Sequence, residues 1–114
     1  MAKSYNFNRS DIKMLLLSLL SKKDMYGYQL IQELKELSKN YFSLKEGCLY
    51  PILHSLENDE LIKSYWEETE SKRKKKYYHI TENGMKFLKK EKNEWKKYAN
   101  CINNVIGGVS FEYE

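Results

Sequence analysis

At 114 residues the chain has the length of one domain, enough to bury about two-thirds of its unfolded surface without disulfide or metal staples. Hydrophobic residues at 41%, charged residues at 32% and a single proline exclude the disordered and collagen-like classes. The net charge of +4 is focused: residues 1–60 sum to zero, residues 61–76 to +3 and residues 77–114 to +1.

The longest unbroken apolar run, Met14 to Leu17, is far short of the ~20 residues needed to cross a bilayer. No apolar leader with a small-residue cleavage site follows Met1, so a soluble cytoplasmic protein away from membranes is expected. Cys48 and Cys101 stand far apart without a CxxC pair, which argues against a disulfide framework and a cysteine-rich zinc site. No metal or other cofactor is expected.

A first helix is predicted over Ser10–Ser21, capped by Ser10 or Asn8, with Ile12, Leu15, Leu16, Leu19 and Leu20 at helical spacing. Met14 and Leu17 widen its apolar surface and suggest a second partner surface, such as another subunit. A second helix from about Tyr26 to Lys39 has Leu30, Leu34 and Leu37 as its inner row. Gly27 in its first turn lets another element approach closely. A third helix, from about Glu46 to Asp59, carries the core stripe Leu49, Ile52, Leu53 and Leu56, with Pro51 implying an irregular first turn. Opposite that stripe lie Gly47, Tyr50, Pro51, His54 and Asn58, with Ser55 on the flank.

The period then changes to 2. Ile62, Ser64 and Trp66 alternate with polar residues, and Lys76 to Ile80 alternate again with Tyr78 and Ile80 on one face. This predicts a two-stranded hairpin whose turn is the polar stretch Glu68 to Lys75. Thr81 is a good N-cap for a last helix reaching about Ile106, stopped by Gly107-Gly108. Met85, Leu88, Trp95, Ala99, Ile102 and Ile106 follow a heptad pattern broken by Lys92, long enough to pair with a second copy of the chain. The alternative is a helix lying across its own domain.

The fold class is therefore mostly α with a small β-hairpin: a winged helix-turn-helix over residues 1–80 and a long C-terminal dimerisation helix with a short tail over 81–114. In this arrangement the third helix enters the DNA major groove and the hairpin tip touches backbone or minor groove. Phosphates would account for the run Lys72, Arg73, Lys74, Lys75 and Lys76. Tyr50, Pro51, His54 and Lys45 are the candidates for the major groove.

Several strings resemble the PadR family of transcriptional regulators: Tyr26-Gly27-Tyr28-Gln29-Leu30, Gly47-Cys48-Leu49-Tyr50-Pro51-Ile52-Leu53, Leu56-Glu57, and Leu61-Ile62. Arg73 to Lys76 with Tyr77-Tyr78 and Ile80-Thr81-Glu82-Asn83-Gly84 extend the resemblance, which covers about Ser10 to Trp95. It implies a homodimeric bacterial repressor of the short subclass, bound to a palindromic operator. Two departures stand out: Cys48 occupies a place where the family usually has threonine or serine, and Ser71 to Lys75 replace a glycine-bearing wing turn. The resemblance also implies a flat aromatic or cationic effector between last and first helices, at an aromatic position held here by Trp95. Met14, off the main stripe of the first helix, would line the same space, and the alternative is that Trp95 and Met14 are simply dimer core.

Catalysis has little to stand on. Cys48 and His54 project away from each other on one helix, and there is no phosphate loop, zinc-protease spacing or nucleophile elbow. Two other readings remain. One is a winged-helix protein-interaction module whose basic run meets an acidic protein. The other is a redox sensor through Cys48, which requires Cys48 to alkylate faster than Cys101 in the native protein.

Overall fold

A computed structural model of the chain describes residues 9–107. Four helices, α1 (Arg9–Leu20), α2 (Gly27–Leu37), α3 (Glu46–Asn58) and α4 (Glu82–Ile106), accompany strands β1 (Met25–Tyr26), β2 (Ile62–Glu68) and β3 (Lys74–Ile80). The helical order follows the apolar periodicity. Ser10 falls inside α1, and Asn8 and Gly108 lie outside the described residues.

The sheet has three strands, not two, in the order β1-β3-β2 and antiparallel throughout. β1 is only two residues long, Met25 opposite Tyr78 and Tyr26 opposite Tyr77, too short for alternation to reveal it. The hairpin turn is also shorter than expected. Glu68 pairs with Lys74 and Glu67 with Lys75, so opposite charges across the ladder extend the strands into the polar stretch. The loop closes through Thr69 N–H donating to the Arg73 carbonyl at 2.9 Å, with Lys72 in the left-handed region at φ 65. That conformation normally takes glycine in three-residue hairpin loops.

One core joins α1, α2, α3, the sheet and the first turns of α4, from Ile12, Leu16 and Leu20 through Leu49, Leu53 and Leu56 to Ile80 and Leu88. Leu17 is fully buried and Leu15 only partly so. α1 packs against α2, α3, α4 and β3 of its own protomer, which buries Leu17, while Met14 on the same side stays half-buried beside an open cleft. Leu37 is 59% exposed and leaves the inner row, because α2 ends there and Lys39 and Asn40 turn the chain away through left-handed conformations. The stripe Leu49, Ile52, Leu53 and Leu56 is buried as expected. Pro51 sits within a continuous α3, and the opening turn is tightened only at Lys45, whose carbonyl accepts from both Cys48 and Leu49 at 2.9 Å.

The start of α4 is tied to the turn after α3. Gly84 N–H donates to the Thr81 hydroxyl at 3.0 Å, that hydroxyl donates to the Glu60 carbonyl at 2.8 Å, and Thr81 N–H donates to the Leu61 carbonyl at 3.0 Å. Thr81 is thus the N-cap the sequence predicts, and it also fixes the angle at which α4 leaves the sheet. Gly107, at φ 91, ends the helix.

Candidate nucleic-acid interface

The face of α3 opposite the core is open. Gly47, Cys48, Tyr50, Pro51, His54 and Asn58 are exposed and Ser55 is half-buried, as the helical count predicts. Lys45 is exposed at the N-cap, so a cation flanks the positive end of the helix. Glu57 is half-buried and turned toward the sheet, where its carboxylate accepts from the Ser64 hydroxyl at 2.6 Å. Tyr50 is less free than its exposure implies. Its ring lies over Gly27, where a β-carbon would overlap the hydroxyl and come within 2.9 Å of Cζ. The missing side chain at Gly27 therefore makes room for a tyrosine that locks α3 against α2. Burial, with Glu57 and Tyr50 adding negative charge nearby, raises the Tyr78 hydroxyl above its ordinary 10.

The basic run divides over the hairpin in a way that charge counting does not reveal. Lys72 and Arg73 stand exposed at the tip, and Lys74 is exposed at the first position of β3. Lys75 points to the opposite face from Lys74 and Lys76, its ammonium 4.8 Å from the centre of the Tyr26 ring. Lys76 leans 5.9 Å from the centre of the Tyr78 ring, across the ladder from Trp66. Trp66, which the alternation places on the first strand of the hairpin, is 63% exposed.

The face that carries Lys75 is held by a cluster that no local pattern revealed. Tyr77 stacks on Tyr65 at 5.7 Å and meets Tyr26 edge-on at 5.3 Å. Beside them, Asp24 accepts from the Tyr65 hydroxyl at 2.6 Å and from His79 Nδ1 at 2.9 Å. Burial raises the Asp24 carboxyl, but the hydrogen bonds from Tyr65 and His79 and the attraction of His79 outweigh it, so the group titrates below 3.8. The bond to Asp24, with burial, pushes the Tyr65 hydroxyl up to about 12.

These shifts set the pH range of the contact. Asp24 contributes stability that is present above 3.8 and lost as pH falls through the lower folded value. Tyr65 contributes stability that is present below 10 and lost as pH rises toward 12, because the unfolded hydroxyl ionises first. Denaturation midpoints of wild type and Tyr65→Phe are expected to converge between those two values. A constant difference from neutral pH up to 12 would show that the hydroxyl is not held by Asp24.

Along α4, Leu88 is 4% exposed and belongs to the protomer's own core, so it leaves the expected dimerisation seam. Beyond Glu91 only Ala99 and Asn103 are even half-buried. Trp95 is 49% exposed and Val105 85%, and Met85, Tyr98, Ile102 and Ile106 are exposed too. Tyr98 and Val105, one heptad apart, widen the expected strip on one side. Met14 and Trp95 line one open cleft of about 410 Å³, together with Asp11, Glu91, Glu94 and Tyr98. Cys48 and Cys101 are both free and exposed, on different helices. Among the described residues no cluster of ligating side chains suits a metal ion, and no helix is long and apolar enough to cross a membrane.

A tri-helical core whose second and third helices are locked together, followed by a hairpin and braced by a short strand ahead of the second helix, is a winged helix-turn-helix. The chain belongs to the PadR-like family of transcriptional regulators, whose family model matches residues 16–90. It is 33% identical over 101 residues to a protein of Lysinibacillus sphaericus, covering 89% of this chain and 93% of that one. It is 28% identical to the Escherichia coli transcriptional regulator YqjI, of whose length it spans 41%. A PadR family transcription regulator from Clostridium difficile R20291 superposes with a TM-score of 0.75 at 38% identity, covering 83% of this chain and 97% of that one. A protein from Streptococcus mutans UA159 gives 0.81 at 36% identity, covering 93% and 95%. The chain is accordingly a DNA-binding transcriptional regulator and not an enzyme.

Proposed function

We propose that the chain is a dimeric repressor that binds a palindromic operator through α3 and the hairpin wing, and that a flat aromatic or cationic effector releases it. The observation that carries this reading is the exposed face of α3, where Gly47, Tyr50, Pro51, His54 and Asn58 present neutral groups, with Glu46 as the acid exposed in the first turn. Lys45 joins them from the N-cap. Lys72, Arg73 and Lys74 supply phosphate contacts at the wing tip, Lys76 stands farther along the same strand face as Lys74, and Lys75 is turned away over Tyr26. With no arginine aimed at a guanine from α3, specificity rests on few base contacts and on DNA shape.

Dimerisation uses the exposed strip of α4, comprising Met85, Trp95, Ala99, Ile102 and Ile106, together with Tyr98 and Val105. The effector enters the cleft between Met14 and Trp95, where Asp11, Glu91 and Glu94 favour positive charge and two aromatic rings favour a flat body.

Fluorescence anisotropy with a duplex from upstream of the protein's own gene, against a scrambled duplex, tests the reading. Wild type is expected to prefer the upstream duplex with a steep salt dependence. Lys72→Ala with Lys74→Ala should reduce the salt slope by about two, whereas Lys75→Ala should leave it unchanged. An equal loss from Lys75→Ala would put the other face of the wing on DNA. Absence of binding to either duplex would end the reading.

A further inference from the structure

We propose that Asp24, which touches no part of the expected DNA surface, is a positioning residue that sets the angle of the wing. The inference rests on the reading that the wing tip contacts phosphates. β1 braces only Tyr77 and Tyr78 on β3, so the outer hairpin, from Trp66 and Lys76 to the tip, has no neighbouring strand. A lone two-stranded ribbon is marginal in water, and its direction depends on how its base is held.

One face of that base is held by the buried Tyr78 and Ile80 and by the bond from Ser64 to Glu57. The other face is held by Asp24. Its two carboxylate oxygens take one donor from each strand, Oδ2 from Tyr65 on β2 at 2.6 Å and Oδ1 from His79 on β3 at 2.9 Å. A carboxylate is suited to this because both of its oxygens only accept, so it can hold two donors from different strands at once. An asparagine would turn an amide toward one of them. Tyr65, Tyr77, Tyr26 and Lys75 then stack outward from the clamp along the same face.

At about 3.3 Å per residue, the tip lies roughly 15–20 Å beyond His79, so a swing of about 10° at the base moves it about 3 Å. That is enough to break the hydrogen bonds of a lysine to a phosphate, whose donor–acceptor range spans only about 0.5 Å. The clamp thus converts local order in the turn before β1 into tip placement.

The full-length chain is titrated with a mixed-sequence duplex at several salt concentrations, because phosphate contacts do not require the operator. Asp24→Ala is expected to weaken binding about tenfold and reduce the salt slope by nearly two, with helix content by circular dichroism unchanged. Adding Lys72→Ala and Lys74→Ala to Asp24→Ala should cost less than threefold more, because those cations are already misplaced. A loss that multiplies in full would overturn the inference, as would wild-type affinity in Asp24→Ala while the lysine variant is weakened. If the lysine variant itself binds like wild type, the wing reading fails instead, and the inference with it. Should Asp24→Ala not fold, Tyr65→Phe answers the same question. It keeps the ring on Tyr77, removes only the bond to Asp24, and is expected to weaken binding about threefold. Unchanged binding there overturns the inference.

Discussion

Gly84→Ala is expected to cost about 2–3 kcal/mol of folding stability, read from the midpoint of urea denaturation. A β-carbon at Gly84 would overlap the Leu61 carbonyl oxygen and come within 2.6 Å of Ile80 Cγ1. That carbonyl cannot give way freely, because it already accepts from Thr81 N–H at 3.0 Å. Opposing the clash is the gain from replacing glycine in a helix, at most ~1 kcal/mol and less in the first turn. The clash wins because its partner is backbone shared by the turn after α3 and the entry to α4. A loss under about 0.5 kcal/mol would show that this joint yields, and would remove Thr81 as the anchor of the angle of α4.

Ile102→Glu is expected to turn the proposed dimer into a monomer while leaving each protomer folded. Ile102 lies fourteen residues, nearly four turns, beyond Leu88, the last core residue of α4, and is 42% exposed, so little within the protomer depends on it. A carboxylate placed in the apolar strip of two facing helices must either lose water or hold them apart. Sedimentation should show one species at the protomer mass, with far-UV circular dichroism retained. Affinity for a two-half-site duplex should fall about a hundredfold or more, since the second half-site would no longer be bound as an intramolecular event. A variant that remains dimeric would place the contact on a different surface of the chain.

The helices were legible because periodicity needs only sequence neighbours. Leu49, Ile52, Leu53 and Leu56 define their own stripe, and the residues opposite them are exposed as counted. The Thr81 cap was legible for the same reason. β1 was not, because two residues cannot display an alternation and Met25 and Tyr26 read equally well as a helix start. The limits of the wing turn were misplaced because a run of charges looks like a loop until Glu67 and Glu68 are seen across from Lys75 and Lys74. Leu37 and Leu88 mark the two ends of the same difficulty. Helical spacing identifies an apolar face but not where along it the neighbouring element stops, so Leu37 overhangs the core and Leu88 lies within it. The clamp on the wing joins Asp24 to Tyr65 and His79, distant in the chain, and only the folded register brings them together.

The tyrosine seated over Gly27 carries a consequence for how such chains can diverge. The space above position 27 and the side chain at position 50 are one volume counted twice, since what one residue gains the other must give up. What alanine at 27 would meet is the outer end of an exposed side chain and not backbone, so the ring at 50 can shift outward while the helices keep their places. A change at 27 is therefore felt first as a displaced tyrosine on the face of α3 proposed to meet DNA, and only afterwards, if at all, in the fold.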